Sequence, residues 1–351
     1  MLHHLEPRYR PPSRHTISEK IIPAWCQAER DKLHRELKAA RAVSLTSDGW
    51  TSRNTVGYLT ITAHFLQNWE LKSKVLQTEM FEGNHTGENI GRELASALQK
   101  WEIKDKVKVM TVDNAANMGV GVFQAGIELK LGCFAHCINL ASNKATAVPE
   151  IARVLGKIRK LVTLFHKSDI ATEVLTETQK ALQVPLHRLV MDVKTRWNST
   201  FDMIQRFLEQ RPALLATLLD PRIRRLNEAK MLASLEDMEV SYCEEYVQVM
   251  DIMVKTTVVI SAEKKPTAGL ILPLMDKIKQ HFMPHEGDSK FMVSAKKAVG
   301  DNIATRYLDE GLVKFLQEAS ALDPRTKLKK CIDDQTWERI ISKCEEVLVS
   351  E

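Results

Sequence analysis

Between Tyr58 and Leu66 the chain alternates, with Leu59, Ile61, Ala63 and Phe65 on one side and mostly polar residues on the other. A period of two marks a strand with one buried face. Residues 41–47 and 71–81 read as two further strands, and Asn54 and Gln67-Asn68 supply turn chemistry between the three. Such short connections imply an antiparallel meander, because parallel neighbours need a long crossover. The period then lengthens. Thr86 stands at a helix-capping position, and Ile90, Leu94, Ala97, Leu98 and Trp101 form one helical face behind it. Residues 107–112 read as a fourth strand, 115–129 as a helix, and 131–134 as a short fifth strand.

After about residue 135 the strand signals fade. Helical periodicity covers 151–165, 170–182 and 197–208, and continues in segments up to Val349, punctuated by prolines such as Pro212, Pro221 and Pro266. The pattern predicts three regions: residues 1–40 as a basic N-terminal arm and helices, 41–135 as an α/β core, and 136–351 as an all-helical region. The arm places Pro7, Pro11 and Pro12 among Arg8, Arg10 and Arg14.

Composition changes this picture little. A hydrophobic share of 44% and a charged share of 27% are ordinary for a globular protein. The net charge of +5 is compatible with a polyanionic partner and too small to argue for one. Of the six cysteines only Cys133 and Cys137 are close in sequence, which fits neither a disulfide framework nor a paired-cysteine zinc module. Reduced thiols in an intracellular protein are expected. No apolar run approaches the roughly eighteen residues of a membrane span, and no apolar leader segment follows Met1.

Two acids stand out. Asp48 in SLTSDGW and Asp113 in TVDNAAN each read as lying just past a strand. If the first and fourth strands are neighbours, both carboxylates meet at one edge and can hold a divalent ion, with magnesium the natural choice. The alternative is local: Asp48 as a turn residue, and Asp113 as the cap of a helix starting near Asn114. Cys133, His136 and Cys137 lack a second pair to complete a tetrahedral zinc site, so no zinc is expected. Arg196 and Trp197 can hold a phosphate and stack an unpaired base, or Trp197 can be core. Leu322-Asp323-Pro324-Arg325 reads as turn chemistry.

Five blocks occur in order: SLTSDGWTSRNTVGYLTITAHFL, VMTVDNAANM, LGCFAHCINLA, DVKTRWNSTFDMIQRFLEQ and ALDPRTK. Together they resemble the hAT superfamily of DNA transposases and the zinc finger BED domain-containing proteins derived from them, over about residues 7–327. The resemblance implies an RNase H-like core, a five-stranded mixed sheet with helices, carrying a large all-helical insertion domain. It implies that Asp48 and Asp113 are two of three metal-binding acids, that Cys133 and His136 lie beside the active site, and that Arg196 and Trp197 hold the DNA, with the indole on a flipped base. Two features depart from the family. The S-E-R-x-F-S-like block carrying the third acid, a glutamate, does not occur, and neither does the BED finger.

The expected function is therefore that of a domesticated, catalytically inactive nuclear protein acting in DNA or chromatin binding or transcription regulation. DNA binding by this chain alone is expected to be weak, and homo-oligomers to require the C-terminal region. The alternative is a fragment of a magnesium-dependent cut-and-paste transposase. A third class, an RNase H-like nuclease, would borrow its last carboxylate from Glu79 or Glu88.

Overall fold

The structure, a computed structural model, describes residues 12–81, 83–193, 195–223, 236–262, 264–327 and 331–349. Most of the basic arm thus lies outside the described residues. The chain divides into two compact units, Met1–Cys133 and Phe134–Glu351.

In the first unit, helical turns at Arg14–Thr16 and Ile17–Ile21 lead into α1 (Ile22–Ala39). There follow β1 (Val43–Thr51), β2 (Gly57–Gln67), β3 (Glu70–Met80), α2 (Gly87–Lys100), β4 (Val107–Val112), α3 (Ala116–Gln124) and β5 (Leu129–Gly132). The sheet order is β3-β2-β1-β4-β5. The first three strands are antiparallel neighbours, and β4 and β5 run parallel to β1. Asn68 and Trp69, both at positive φ (51° and 62°), make the left-handed two-residue turn that suits the twist of the β2–β3 hairpin.

The alternating residues Leu59, Ile61, Ala63 and Phe65 are buried, beside Leu45 of β1 and Met110 of β4. Against them lie Ile90, Leu94 and Leu98 of α2, whose first turn is capped by Thr86 Oγ1 accepting from Asn89 N at 3.3 Å. Helices α2 and α3 approach through glycine: a Cβ on Gly121 would sit 2.5 Å from Ile90 Cγ2. The C-terminal half of α1 packs on the sheet unit. Leu33 and Leu37 join the same core, and Lys106 Nζ donates to the carbonyls of Leu37, Lys38 and Ala40 at 3.0, 2.6 and 2.8 Å, capping α1.

Two boundaries differ from the sequence expectation. Strand β1 does not stop at Ser47, because its ladder to β2 continues as far as Thr51 opposite Gly57. Helix α3 ends at Gln124 rather than Leu129. Gly126 adopts φ +81°, the left-handed conformation that terminates helices at low cost in a residue without Cβ, and β5 starts correspondingly earlier.

The second unit is helical throughout its described residues: α4 (Phe134–Thr146), α5 (Pro149–Lys167), α6 (Asp169–Ala181), α7 (Trp197–Leu219), α8 (Asp237–Ile260), α9 (Ile271–His281), α10 (Lys290–Ala304), α11 (Glu310–Ala321) and α12 (Asp334–Val349). The LDPR segment is a structural clasp. Arg325 grips the Asp323 carboxylate and donates to Pro266 O at 2.7 Å, while Thr326 and Ser320 both donate to Gly269 O. No described helix is long and apolar enough to cross a membrane.

Candidate metal and nucleic-acid site

The parallel register of β1 and β4 pairs Leu45 with Met110 and Thr46 with Thr111. Two residues further on, Asp48 comes level with Asp113. Because side chains alternate, both project from the face that carries Thr46 and Thr111, opposite the core. The row extends one strand further. Val112 pairs with Gly132, and Cys133 N donates to Val112 O at 2.7 Å, which sets Cys133 level with Asp113. Asp48 is exposed, while Asp113 and Cys133 are half-buried.

The two acids are held differently. Asp48 lies inside β1 rather than past its end, opposite Thr60 of β2, so it is not a turn residue. Asp113 follows β4, and its Oδ1 accepts from Ala115 N at 3.0 Å, a turn that leads the chain into α3 without being its N-cap. Gly132 keeps the neighbouring loop close: a Cβ there would sit 2.6 Å from Asn114 Oδ1.

Two carboxylates in register suit one magnesium ion, which takes hard oxygen ligands and retains several waters. Asp48 and Asp113 are the residues that would hold it. Among the described residues no group of three or more His, Cys, Asp or Glu is arranged to hold a metal. Neither borrowed acid supplies the deficit. Glu79 pairs with Leu59, hence on the helix-covered face away from Asp48, and is bound by Lys100 at 3.0 Å. Glu88 is exposed in the first turn of α2, where its charge favours the positive helix end.

The same sheet face carries a polar ladder. His64 Nε2 meets Thr46 Oγ1 at 3.0 Å, and its Nδ1 meets Ser73 Oγ at 2.9 Å. Burial holds this imidazole below its ordinary pKa, favouring the neutral ring.

The remaining sequence candidates belong to the second unit. The unit boundary falls between Cys133 and Phe134, so the cysteine goes with the acid row and His136, half-buried on α4, with the helices. Cys137 is buried, 3.6 Å from Tyr307 Oη. Trp197 corrects an expectation: it is 3% exposed and packs edge-on against Phe201, so it is core and offers no face to a base. Arg196, immediately before α7, is exposed. Sequence reasoning passed over Asp192 of the same block. Its side chain is 1% exposed and accepts a forked pair of hydrogen bonds from Arg159 at 2.9 and 2.6 Å, with Thr200 Oγ1 at 3.0 Å. A single buried acid between Met191 and Val193 has no local signature, and only its arginine, 33 residues away, shows what it does.

Two family models match adjacent stretches of the chain: the ZBED1 RNase-like domain over residues 46–125 and the ZBED1 RNase-like helical domain over residues 131–244. The first spans both acids and the second contains Arg196 and Trp197. The chain belongs to the hAT-transposase-derived BED proteins. The five-stranded sheet is thus the RNase H-like core of a BED protein, and the helices from α4 to the start of α8 match its helical domain. Among relatives, human Zinc finger BED domain-containing protein 4 is 27% identical over 240 residues, 64% of this chain and 20% of the relative. The Putative AC transposase of Zea mays is 28% identical over 236 residues, 62% of this chain and 29% of the relative. Zinc finger BED domain-containing protein RICESLEEPER 2 of Oryza sativa subsp. japonica is 23% identical over 344 residues, 93% of this chain and 46% of the relative. This BED-type chain spans less than half the length of each of the three.

Proposed function

We propose that this BED-type chain is a domesticated, transposase-derived nuclear protein that binds DNA or chromatin and does not cut DNA by itself. The observation that carries the reading is the acid row: Asp48 and Asp113 stand in register, with no third acid grouped with them among the described residues. In-line phosphoryl transfer of the two-metal kind clamps both the attacking and the leaving oxygen. A magnesium ion on this pair would neutralise a phosphate oxygen and acidify a bound water. What the chain itself contributes is positioning: β1 fixes Asp48 through its ladder to β2, and the turn at Ala115 orients Asp113.

DNA contact then rests on charge without base readout, through groups such as exposed Arg196, and is weak and salt-sensitive. A relative from Talaromyces stipitatus named Putative transcriptional regulator tpeD, 27% identical over 220 residues, supports the regulatory side of the reading. Incubation of the chain with supercoiled and linear DNA in magnesium tests the catalytic part, and no cleavage is expected. Cleavage that vanishes in Asp48→Asn and in Asp113→Asn would overturn it. Titration with duplexes of different sequence at rising salt tests the binding part, which tight, sequence-selective binding at physiological salt would contradict.

A second reading, a segment of a magnesium-dependent cut-and-paste transposase, is favoured by the retained acid pair and the likeness to the maize protein. A BED finger upstream and an S-E-R-x-F-S block downstream in one genomic reading frame, between inverted repeats, would select it.

A further inference from the structure

We propose that the groove between α1 and β3 is a docking site for an extended, acidic peptide segment of a partner protein, which adds to β3 as a further strand. The inference goes beyond the DNA-binding reading and does not depend on it.

Three observations meet in one place within the first unit. First, β3 ends the sheet order and pairs on one side only, with β2. Every second residue along its outer edge therefore turns its N–H and C=O away from the sheet, an arrangement that a further strand completes. Second, the ladder slips along this strand. Ile61 pairs with Gln77 and Thr62 with Val75, which leaves Leu76 as the extra, bulged residue. Leu76 is buried, while neighbouring Val75 is 59% exposed. Third, α1 runs beside the same edge. Cys26, Glu29, Leu33 and Glu36, spaced to share one helical face, form one wall of a groove of about 330 Å³, and Val75 and Leu76 belong to the other. From Cys26 to Glu36 the helix rises about 15 Å, the length of four to five residues of extended chain.

The groove also carries an unmet donor. Trp101, the residue that ends α2, lines it and is 3% exposed, with His34 stacked on its ring at 4.6 Å. Its Nε1 has no hydrogen-bond acceptor among the described residues. A buried donor left unpaired is destabilising, and an acceptor seated in the groove satisfies it. The surrounding charges select the acceptor. Arg30, Lys32 and Lys74 line the groove against Glu29 and Glu36, a surplus of cations. A carboxylate between apolar neighbours suits this setting, because a charged acceptor makes the stronger hydrogen bond and the cations favour it. Exposed Lys74 and the bulge guard the edge against pairing with another whole sheet, so it takes a single segment.

The test is panning of the full chain against a displayed library of random peptides, followed by fluorescence anisotropy with the enriched peptides labelled. The enriched sequences are expected to alternate apolar residues around an Asp or Glu. N-methylation of alternate peptide amides should abolish binding in one phase and be tolerated in the other, because an added strand uses every second N–H toward its neighbour. Trp101→Phe, which keeps an aromatic ring without the N–H, should weaken binding roughly 10- to 150-fold, the range for one hydrogen bond to a charged acceptor. Lys74→Glu, an exposed change outside the core, should weaken it as well and guards against a folding artefact in the Trp101 variant. Lys20→Glu, the same charge change at an exposed position outside the groove, should bind like the parent. A library that yields no enriched peptide overturns the proposal. Equal effects of N-methylation in both phases overturn the added strand, and unchanged affinity in both Trp101→Phe and Lys74→Glu overturns the site.

Discussion

Removing Asp192 tests whether the DVKTRWN block is organised from within. The carboxylate is 1% exposed and is held by a forked Arg159 guanidinium and by Thr200, tying the segment before α7 to α5. Asp192→Ala strips three donor groups of their acceptor. Breaking a buried pair by deleting one partner costs about 3–5 kcal/mol. Arg159 is 31% exposed and can partly rehydrate, which places the loss near the lower end, about 3 kcal/mol. Arg159→Met should cost more, about 4–5 kcal/mol, because it leaves the less exposed charge unpaired. The double variant Asp192→Leu/Arg159→Met should recover much of the loss, since no stranded charge remains. The sign with pH follows from the carboxyl. Burial pushes it up, but the hydrogen bonds from Arg159 and Thr200 and the charge of Arg159 outweigh this and hold it below its ordinary 3.8. Between the two values the unfolded chain binds more protons, so this stabilisation is present above about pH 4 and is lost as pH falls through the folded value. Urea unfolding followed by circular dichroism and by fluorescence is the assay, with the two units fitted as separate transitions. A loss below about 1 kcal/mol for Asp192→Ala, typical of a surface ion pair, would refute the reasoning. Strictly additive single and double variants would refute it equally.

Two glycines should respond with opposite signs when replaced by alanine. At Gly121 the new Cβ meets Ile90 Cγ2 at 2.5 Å and Gly91 N at 3.2 Å, so Gly121→Ala should cost about 1–3 kcal/mol in thermal or urea unfolding. At Gly156, inside α5, a Cβ meets nothing within 4 Å, and Gly156→Ala should stabilise by about 0.5–1 kcal/mol. The Arg196-Trp197 pair should divide by role. Trp197→Ala is expected to cost about 3–5 kcal/mol of stability. Arg196→Ala should leave the unfolding midpoint nearly unchanged, weaken duplex binding, and flatten its salt dependence by about one charge.

The alternation of β2, the cap at Thr86, the limits of β4 and the change to helix after residue 135 were legible because each depends on neighbours a few positions away. The order of the blocks and their resemblance pointed to the family. What a side chain faces depends on hydrogen bonds to strands far along the chain, and there local pattern stops. Tertiary pairing extended β1 past Asp48, making it a strand residue, and moved Glu79 to the opposite face, because adjacent strand positions point opposite ways. It also sorted the aromatics. Trp197, left open by the sequence between core and ligand platform, is enclosed by its own helical unit, whereas Trp50 lies open against Tyr58, its register partner across the β1–β2 ladder. The sequence by itself determined the elements and the two acids. Only the folded sheet decided that those acids share a row and a face, because register is a property of paired strands and not of either strand alone.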